Sequence, residues 1–281
     1  MAFTTLISTA ALAPRLNDQA LVVIDCRFRL DDVDWGAREY GTAHVPGAVY
    51  AHLDTDLSGP KTGRNGRHPL PNPDTLADTF GRLGITSGMQ VVAYDQDNGM
   101  FASRLWWLLR WMGHDAAAVL DGGFARWTAE NRPTRSGVER PAARRFEGAP
   151  RDGMIADVTQ VATLVETRRA TLVDARAPQR FRGETEPLDR VAGHIPGAKN
   201  YFFQQNVDEQ HLFRTPEELR EYIRSAIGDV RPAEIVCYCG SGVTACHNLL
   251  ALEHAGLPGA KLYPGSWSEW CADESRPIEK G

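Results

Sequence analysis

The 281-residue chain has no apolar run long enough to span a bilayer, no dense lysine and arginine tract, and no second His or Cys pair. The first absence argues against a transmembrane helix. The second, with a net charge of −5, argues against nucleic acid as the main partner. The third leaves Cys237 and Cys239, two positions apart, without the partners of a zinc site, so no metal is expected. Five cysteines (Cys26, Cys237, Cys239, Cys246, Cys271) form an odd set without the spacing of a disulfide framework. That pattern favours a free, reactive thiol in a cytoplasmic protein. Ala11-Leu12-Ala13 resembles a signal-peptidase site, but no basic segment precedes it, and Thr4, Thr5, Ser8 and Thr9 interrupt the apolar stretch. A strand end entering a helix at Ser8 is the expectation there.

What the chain does have is length for two domains, a globular composition (42% hydrophobic, 24% charged) and an internal repeat. Leu21-Val22-Val23-Ile24-Asp25-Cys26-Arg27 echoes Thr171-Leu172-Val173-Asp174-Ala175-Arg176. Ala43-His44-Val45-Pro46-Gly47-Ala48 echoes Gly193-His194-Ile195-Pro196-Gly197-Ala198, and Val91-Val92-Ala93-Tyr94-Asp95 echoes Ile235-Val236-Cys237-Tyr238-Cys239. Asp121-Gly122-Gly123-Phe124-Ala125-Arg126-Trp127 echoes Tyr263-Pro264-Gly265-Ser266-Trp267-Ser268-Glu269-Trp270. Asp95 and Trp127 are 32 positions apart, Cys239 and Trp270 31, so order and spacing are both kept.

Within each copy short apolar runs alternate with amphipathic stretches, of which 102–112 and 244–255 are the clearest helices. Strand–turn–helix in succession implies an α/β fold, a parallel sheet flanked by helices, with ligands beyond the carboxyl ends of the strands. The expected division is an N-terminal domain over 1–135, a linker over 136–154 and a C-terminal domain over 155–281. The linker is expected because Asn131 to Met154 carries Pro133, Pro141 and Pro150 and no apolar period.

Chemistry is expected at Cys239. The strand 235–238 runs into Cys239-Gly240-Ser241-Gly242-Val243-Thr244, and a helix begins near Thr244. Glycines let successive backbone N–H groups face one concavity, and a helix N-terminus adds further unpaired donors. A thiolate seated there is stabilised and nucleophilic near neutral pH. Cys237 and Cys246 read instead as small core residues; alternation along the strand puts 237 and 239 on one face, which leaves a redox pair open.

With these motifs in place, the chain resembles the tandem-domain rhodanese-type sulfurtransferases over nearly its whole length. The resemblance implies two tandem rhodanese-like domains, an active loop of a cysteine and five following residues (Cys239 to Thr244), and a catalytically silent N-terminal copy. Asp95, at the matching turn of that copy, cannot carry a sulfane sulfur. The Gly-His-Ile-Pro-Gly and Gly-Ser-Trp elements read as structural, with the His satisfying backbone groups. The implied chemistry is sulfur transfer through a Cys239 persulfide to a thiol acceptor, such as a thioredoxin-like protein, or to cyanide, with no cofactor.

Family members preferring thiosulfate tend to carry Arg-Lys after the cysteine, and those preferring 3-mercaptopyruvate carry Gly-Ser, as Gly240-Ser241 do here. The small anionic donor expected is thus 3-mercaptopyruvate, with thiosulfate as the alternative. By the same resemblance Arg180 matches the first arginine of a carboxylate clamp. Arg190 stands for the second, because Leu188 occupies the simple motif position; ordinary surface charge is the alternative for Arg182 and Arg190. Gly240, Gly242, Val243 and Thr244 line the loop, and Asp54, His68 and Ser241 are implied as a proton relay. The other reading of His68, with Arg67, is that they only line the cleft. A related phosphatase or arsenate reductase would need an arginine at 245, where this chain has Ala245. A non-catalytic sulfur carrier is the remaining alternative.

Overall fold

The computed structural model describes residues 2–281. It divides into two compact units: Met1–Gly59 with Pro71–Arg151 and Glu209–Phe213, and Pro60–Leu70 with Asp152–Asp208 and Arg214–Gly281. Thus Pro60–Leu70, from the first repeat in sequence, folds with the second unit.

The first unit carries strands β1 (Leu6–Ile7), β2 (Leu21–Asp25), β3 (Val49–Tyr50), β4 (Gln90–Tyr94) and β5 (Ala117–Leu120). They form a parallel sheet in the order β1-β5-β4-β2-β3. The second unit has β6 (Thr171–Asp174), β7 (Lys199–Asn200), β8 (Ile235–Tyr238) and β9 (Lys261–Leu262), parallel in the order β7-β6-β8-β9. A parallel bridge from Ile155 to Leu262 takes the place that β1 holds beside β5. The all-parallel α/β expectation is met in both copies. β4 and β8 are buried at every position, as apolar runs covered on both faces require.

The helices follow their local signals. Ser8 caps the helix Thr9–Leu12, its side chain accepting from the Ala11 N–H. Asp157 with Gln160 and Thr215 with Glu218 form capping boxes at Val158–Thr167 and Pro216–Ile227. The helices expected at 102–112 and 244–255 span Ala102–Trp111 and Thr244–His254. Residues 136–150 have no helix or strand and are mostly exposed, yet they are pinned to the first unit. Arg144 N–H donates to Gly81 O, and the buried Phe146 ring meets Phe80 edge-on at 5.0 Å.

Each unit is organised by a buried ion pair at the end of a central strand. In the second, Arg176 grips the Asp174 carboxylate through Nε and Nη2, the shortest bond 2.6 Å, with the side chains 1% and 0% exposed. Arg176 Nη2 also donates to Gly193 O, fixing the Gly-His-Ile-Pro-Gly turn, and its guanidinium lies 4.8 Å from the Trp267 ring centroid. Asp25, Arg27 and Ala43 O repeat the arrangement in the first unit. The histidines serve as the sequence suggests: His44 Nδ1 donates to Tyr40 O and His194 Nδ1 to Phe181 O. Burial works to lower the Arg176 pKa, but Asp174, by charge and hydrogen bond, with Tyr238 and Glu186, raises it on balance. Removing one partner of such a pair strands the other charge, so Asp174→Ala should cost about 3–5 kcal/mol in urea denaturation. A loss below about 1 kcal/mol would show that the pair is not what holds this unit.

Candidate active site

β8 delivers Cys239 to the floor of a loop that turns directly into the helix Thr244–His254. The loop's amides close on the sulfur: Gly242 N–H donates to Cys239 Sγ at 3.1 Å and Ser241 N–H at 3.5 Å. Cys239 is 2% exposed. Its own N–H donates to Ser266 Oγ, and its carbonyl accepts from Trp267 N–H at 3.0 Å, so the Gly-Ser-Trp element holds the loop from behind. Ser266 adopts φ +55°, as Gly123 does in the other copy, and its hydroxyl donates to Tyr263 O while accepting from Cys239. The Gly-Ser-Trp element, expected to be structural, thus also supplies a serine bonded to the Cys239 backbone.

Gly242 is required twice over. Its φ is +77°, and a Cβ there would run into the Pro264 carbonyl. Gly240 leaves room for its neighbours: a Cβ there would sit 2.7 Å from Arg67 Nη2 and 3.5 Å from Arg180 Nη2, so a larger side chain would push these arginine ends aside. Val243 and Thr244 carry the chain into the helix. His68 and Ser241, 4% and 6% exposed, share a 2.8 Å hydrogen bond between Nδ1 and Oγ whose direction the imidazole tautomer sets. Asp54 belongs to the first unit, half-buried in the turn after β3, with its N–H donating to His52 Nδ1.

The two guanidinium groups beside Gly240 are those of Arg180 and Arg67. Arg190 is placed elsewhere, exposed and paired with Glu274 in a hollow shared with Arg64 and Arg276. Arg180 rests on Glu186 (Nη2–Oε1 2.6 Å), which Arg176 also holds at 3.2 Å, so the site is tied to the buried ion pair. Favourable contacts with Arg180 and Arg176 outweigh burial and keep the Glu186 pKa low. Arg67, expected from sequence only to line the cleft with His68, lies 113 residues before Arg180 in the chain. None of the five cysteines is joined in a disulfide; Cys237, inside β8, has its thiol pKa pushed up by burial, then by Cys246 and Cys239. Among the described residues no cluster of His, Cys, Asp and Glu has the form of a metal site.

The matching loop of the first unit shows what such a ring of donors holds. Asp95 Oδ1 accepts from Gly99 and Asp97 N–H, and Oδ2 from Phe101 and Ala102 N–H at 2.7 and 3.1 Å. Phe124 and Ala125 N–H bind Asp95 O and Gln96 O, as Trp267 and Ser268 N–H bind Cys239 O and Gly240 O. The same loop position thus holds a carboxylate in one copy and a thiol in the other.

A parallel sheet that delivers a cysteine into a ring of backbone N–H groups, over a proton-bearing Ser–His pair and two arginines, defines a site for anionic sulfur chemistry. The sequence profile of the rhodanese-like domain matches residues 8–130 and 157–273. A probable 3-mercaptopyruvate sulfurtransferase of Pseudomonas aeruginosa is 45% identical, covering 100% of both chains. A putative thiosulfate sulfurtransferase of Mycobacterium tuberculosis is 37% identical over 98% of this chain and 97% of its own. The crystal structure of a 3-mercaptopyruvate sulfotransferase of Escherichia coli superposes with a TM-score of 0.82 at 32% identity, covering 94% of this chain and 99% of that one. The chain belongs to the rhodanese-like domain family, with the domain present twice.

Two tests follow from the paired loops. Burial pushes the Asp95 carboxyl up to about 6 from 3.8, against the pull of its N–H donors. Between those values the unfolded chain ionises first, so stability falls as pH rises, by about 3 kcal/mol in total, and is flat above. Urea denaturation from about pH 4 to 7 should show wild type losing that much relative to Asp95→Asn; a difference that is constant or grows with pH refutes it. In the second unit, Gly242→Ala should cost about 1–3 kcal/mol and slow iodoacetamide alkylation of Cys239 by about tenfold or more. Unchanged melting and alkylation would mean that the loop does not need the left-handed turn.

Proposed function

We propose that the protein is a sulfurtransferase that takes a sulfane sulfur from 3-mercaptopyruvate onto Cys239 and passes it to a thiol. The observation that carries the reading is the Cys239 sulfur facing the Gly242 and Ser241 N–H groups, with Ser241 bonded to His68. The Cys239 thiolate attacks the donor's thiol sulfur, and the carbon–sulfur bond breaks with its electron pair leaving on the enolate of pyruvate. His68 through Ser241 supplies the proton that turns the enolate into pyruvate. The persulfide left on Cys239 returns the donor's thiol proton to His68 through Ser241, replacing the one given to the enolate. Its anion then lies near the loop's N–H groups and the N-terminus of the helix Thr244–His254, an 11-residue helix with no acidic residue in its first turn. An acceptor thiolate then attacks the outer sulfur and returns the Cys239 thiolate. A small thiol or a thioredoxin-like protein fits that step, and five cysteines without a disulfide suit a reducing compartment such as the cytoplasm.

Arg180 and Arg67 flank Gly240 and suit a carboxylate, whose planar oxygens match a guanidinium fork. A keto acid also offers a carbonyl to the Ser241 hydroxyl, which thiosulfate lacks, and this favours 3-mercaptopyruvate over thiosulfate. Similarity to the Pseudomonas aeruginosa and Escherichia coli proteins supports the same choice, while the Mycobacterium tuberculosis relative keeps thiosulfate as the second donor.

Mixing with 3-mercaptopyruvate should add the mass of one sulfur atom to Cys239 and release pyruvate, and Cys239→Ser should do neither. Ser241→Ala should lower kcat/KM for 3-mercaptopyruvate by about 10²-fold or more and affect thiosulfate less. Higher kcat/KM with thiosulfate in the wild type would reverse the donor assignment. Sulfur transfer that survives in Cys239→Ser would end the persulfide reading.

A further inference from the structure

The two arginines beside Gly240 are not empty-handed. Arg67 Nη1 forms an ion pair with Asp189 Oδ1, and Arg180 Nη2 reaches Asp189 Oδ2 at 3.4 Å. The Asp189 side chain is 5% exposed, against 27% for Arg67 and 18% for Arg180. Three guanidinium groups, Arg67, Arg176 and Arg180, thus meet three carboxylates, Asp174, Glu186 and Asp189, and the positive charge beside the loop is cancelled. The carboxylates are not held alike. Asp174 is fixed by several bonds to the buried Arg176, and Glu186 by bonds to both Arg176 and the half-buried Arg180, with further bonds from the Leu188 and Asp189 N–H groups. Asp189 has a close bond to Arg67, the more exposed of the two arginines, and only a long one to Arg180. Burial and Glu186 act against its charge while Arg67 and Arg180 favour it, and the net effect of burial is to raise its pKa.

We propose that Asp189 is an internal counter-anion that occupies the seat between Arg67 and Arg180 at rest, and that the donor's carboxylate displaces it. This rests on the sulfurtransferase reading for the identity of the donor, but not for the existence of the seat. Asp189 then acts as a specificity-setting residue. A tethered carboxylate competes with every incoming anion, so a ligand stays only if it makes further bonds, as a keto acid makes to Ser241. Exchanging one carboxylate for the other at Arg67 also couples donor binding to the position of segment Pro60–Leu70.

The test uses pyruvate and sulfate, unreactive anions, as protectants of Cys239 against iodoacetamide, with the alkylated residue located by mass spectrometry. In Asp189→Asn the concentration for half-protection should fall by about tenfold, and KM for 3-mercaptopyruvate should fall with it. Asp189→Glu, which keeps the charge, should stay near wild type. Equal or weaker protection in folded Asp189→Asn would mean that Asp189 merely holds the arginines in place, and would overturn the proposal. Should Asp189→Asn fail to fold, Arg67→Gln decides: it should weaken pyruvate protection by about tenfold, and unchanged protection overturns the proposal. Protection by pyruvate in a wild type that transfers no sulfur from any donor would leave the seat standing and end the sulfurtransferase reading instead.

Discussion

The interaction on which the second unit depends is the buried pair between Asp174 and Arg176. Its two charges are taken out of water at the end of β6, where only close pairing makes their burial tolerable. Arg176 spends its remaining donors on Gly193 O and Glu186, and its flat face lies over Trp267. Tyr238, opposite Asp174 in the sheet, donates from its hydroxyl to that carboxylate and accepts from Ile195 N–H. One ion pair therefore orients the strand that ends at Cys239, the turn beside it, the tryptophan behind the loop and the glutamate that carries Arg180. The chemistry is displayed on this frame.

The paired loops separate what the scaffold supplies from what the residue supplies. In both copies a strand ends, backbone donors converge and a helix begins; in both, the next helix returns N–H groups to the loop's carbonyls. Asp95 brings its own charge to these donors and fills them. Cys239 brings a smaller group, whose sulfur meets two of the donors and whose loop is two residues shorter between strand and helix. The first unit thus keeps the fold, with a carboxylate at Asp95 where the second unit has a thiol.

Much of this was legible in the chain. The repeat, the apolar strands and the cap residues Ser8, Asp157 and Thr215 are local signals, and the structure places elements where they point. Cys239 was legible because glycine spacing constrains backbone geometry within a few residues. His68 and Ser241 were named by resemblance and lie in hydrogen-bond contact. Arg190 shows the limit: the resemblance offered it as the second clamp arginine, with ordinary surface charge as the alternative, and its side chain pairs with Glu274. Arg67 stands beside Gly240 instead, brought there by Gly66 packed against Gly265 and by a bond from Arg67 N–H to Ser268 Oγ.

The sequence by itself determined the two parallel α/β copies, the loop that seats Cys239 and the loss of a thiol at Asp95. These follow from hydrophobic period, from glycine's conformational range and from residue identity, all of which act over short stretches of chain. Only the tertiary structure decided which arginines stand at the loop, that Asp189 already neutralises them, and that Pro60–Leu70 folds with the second unit. Those outcomes depend on side chains more than a hundred residues apart competing for the same partners. No periodicity or local propensity records the result of that competition.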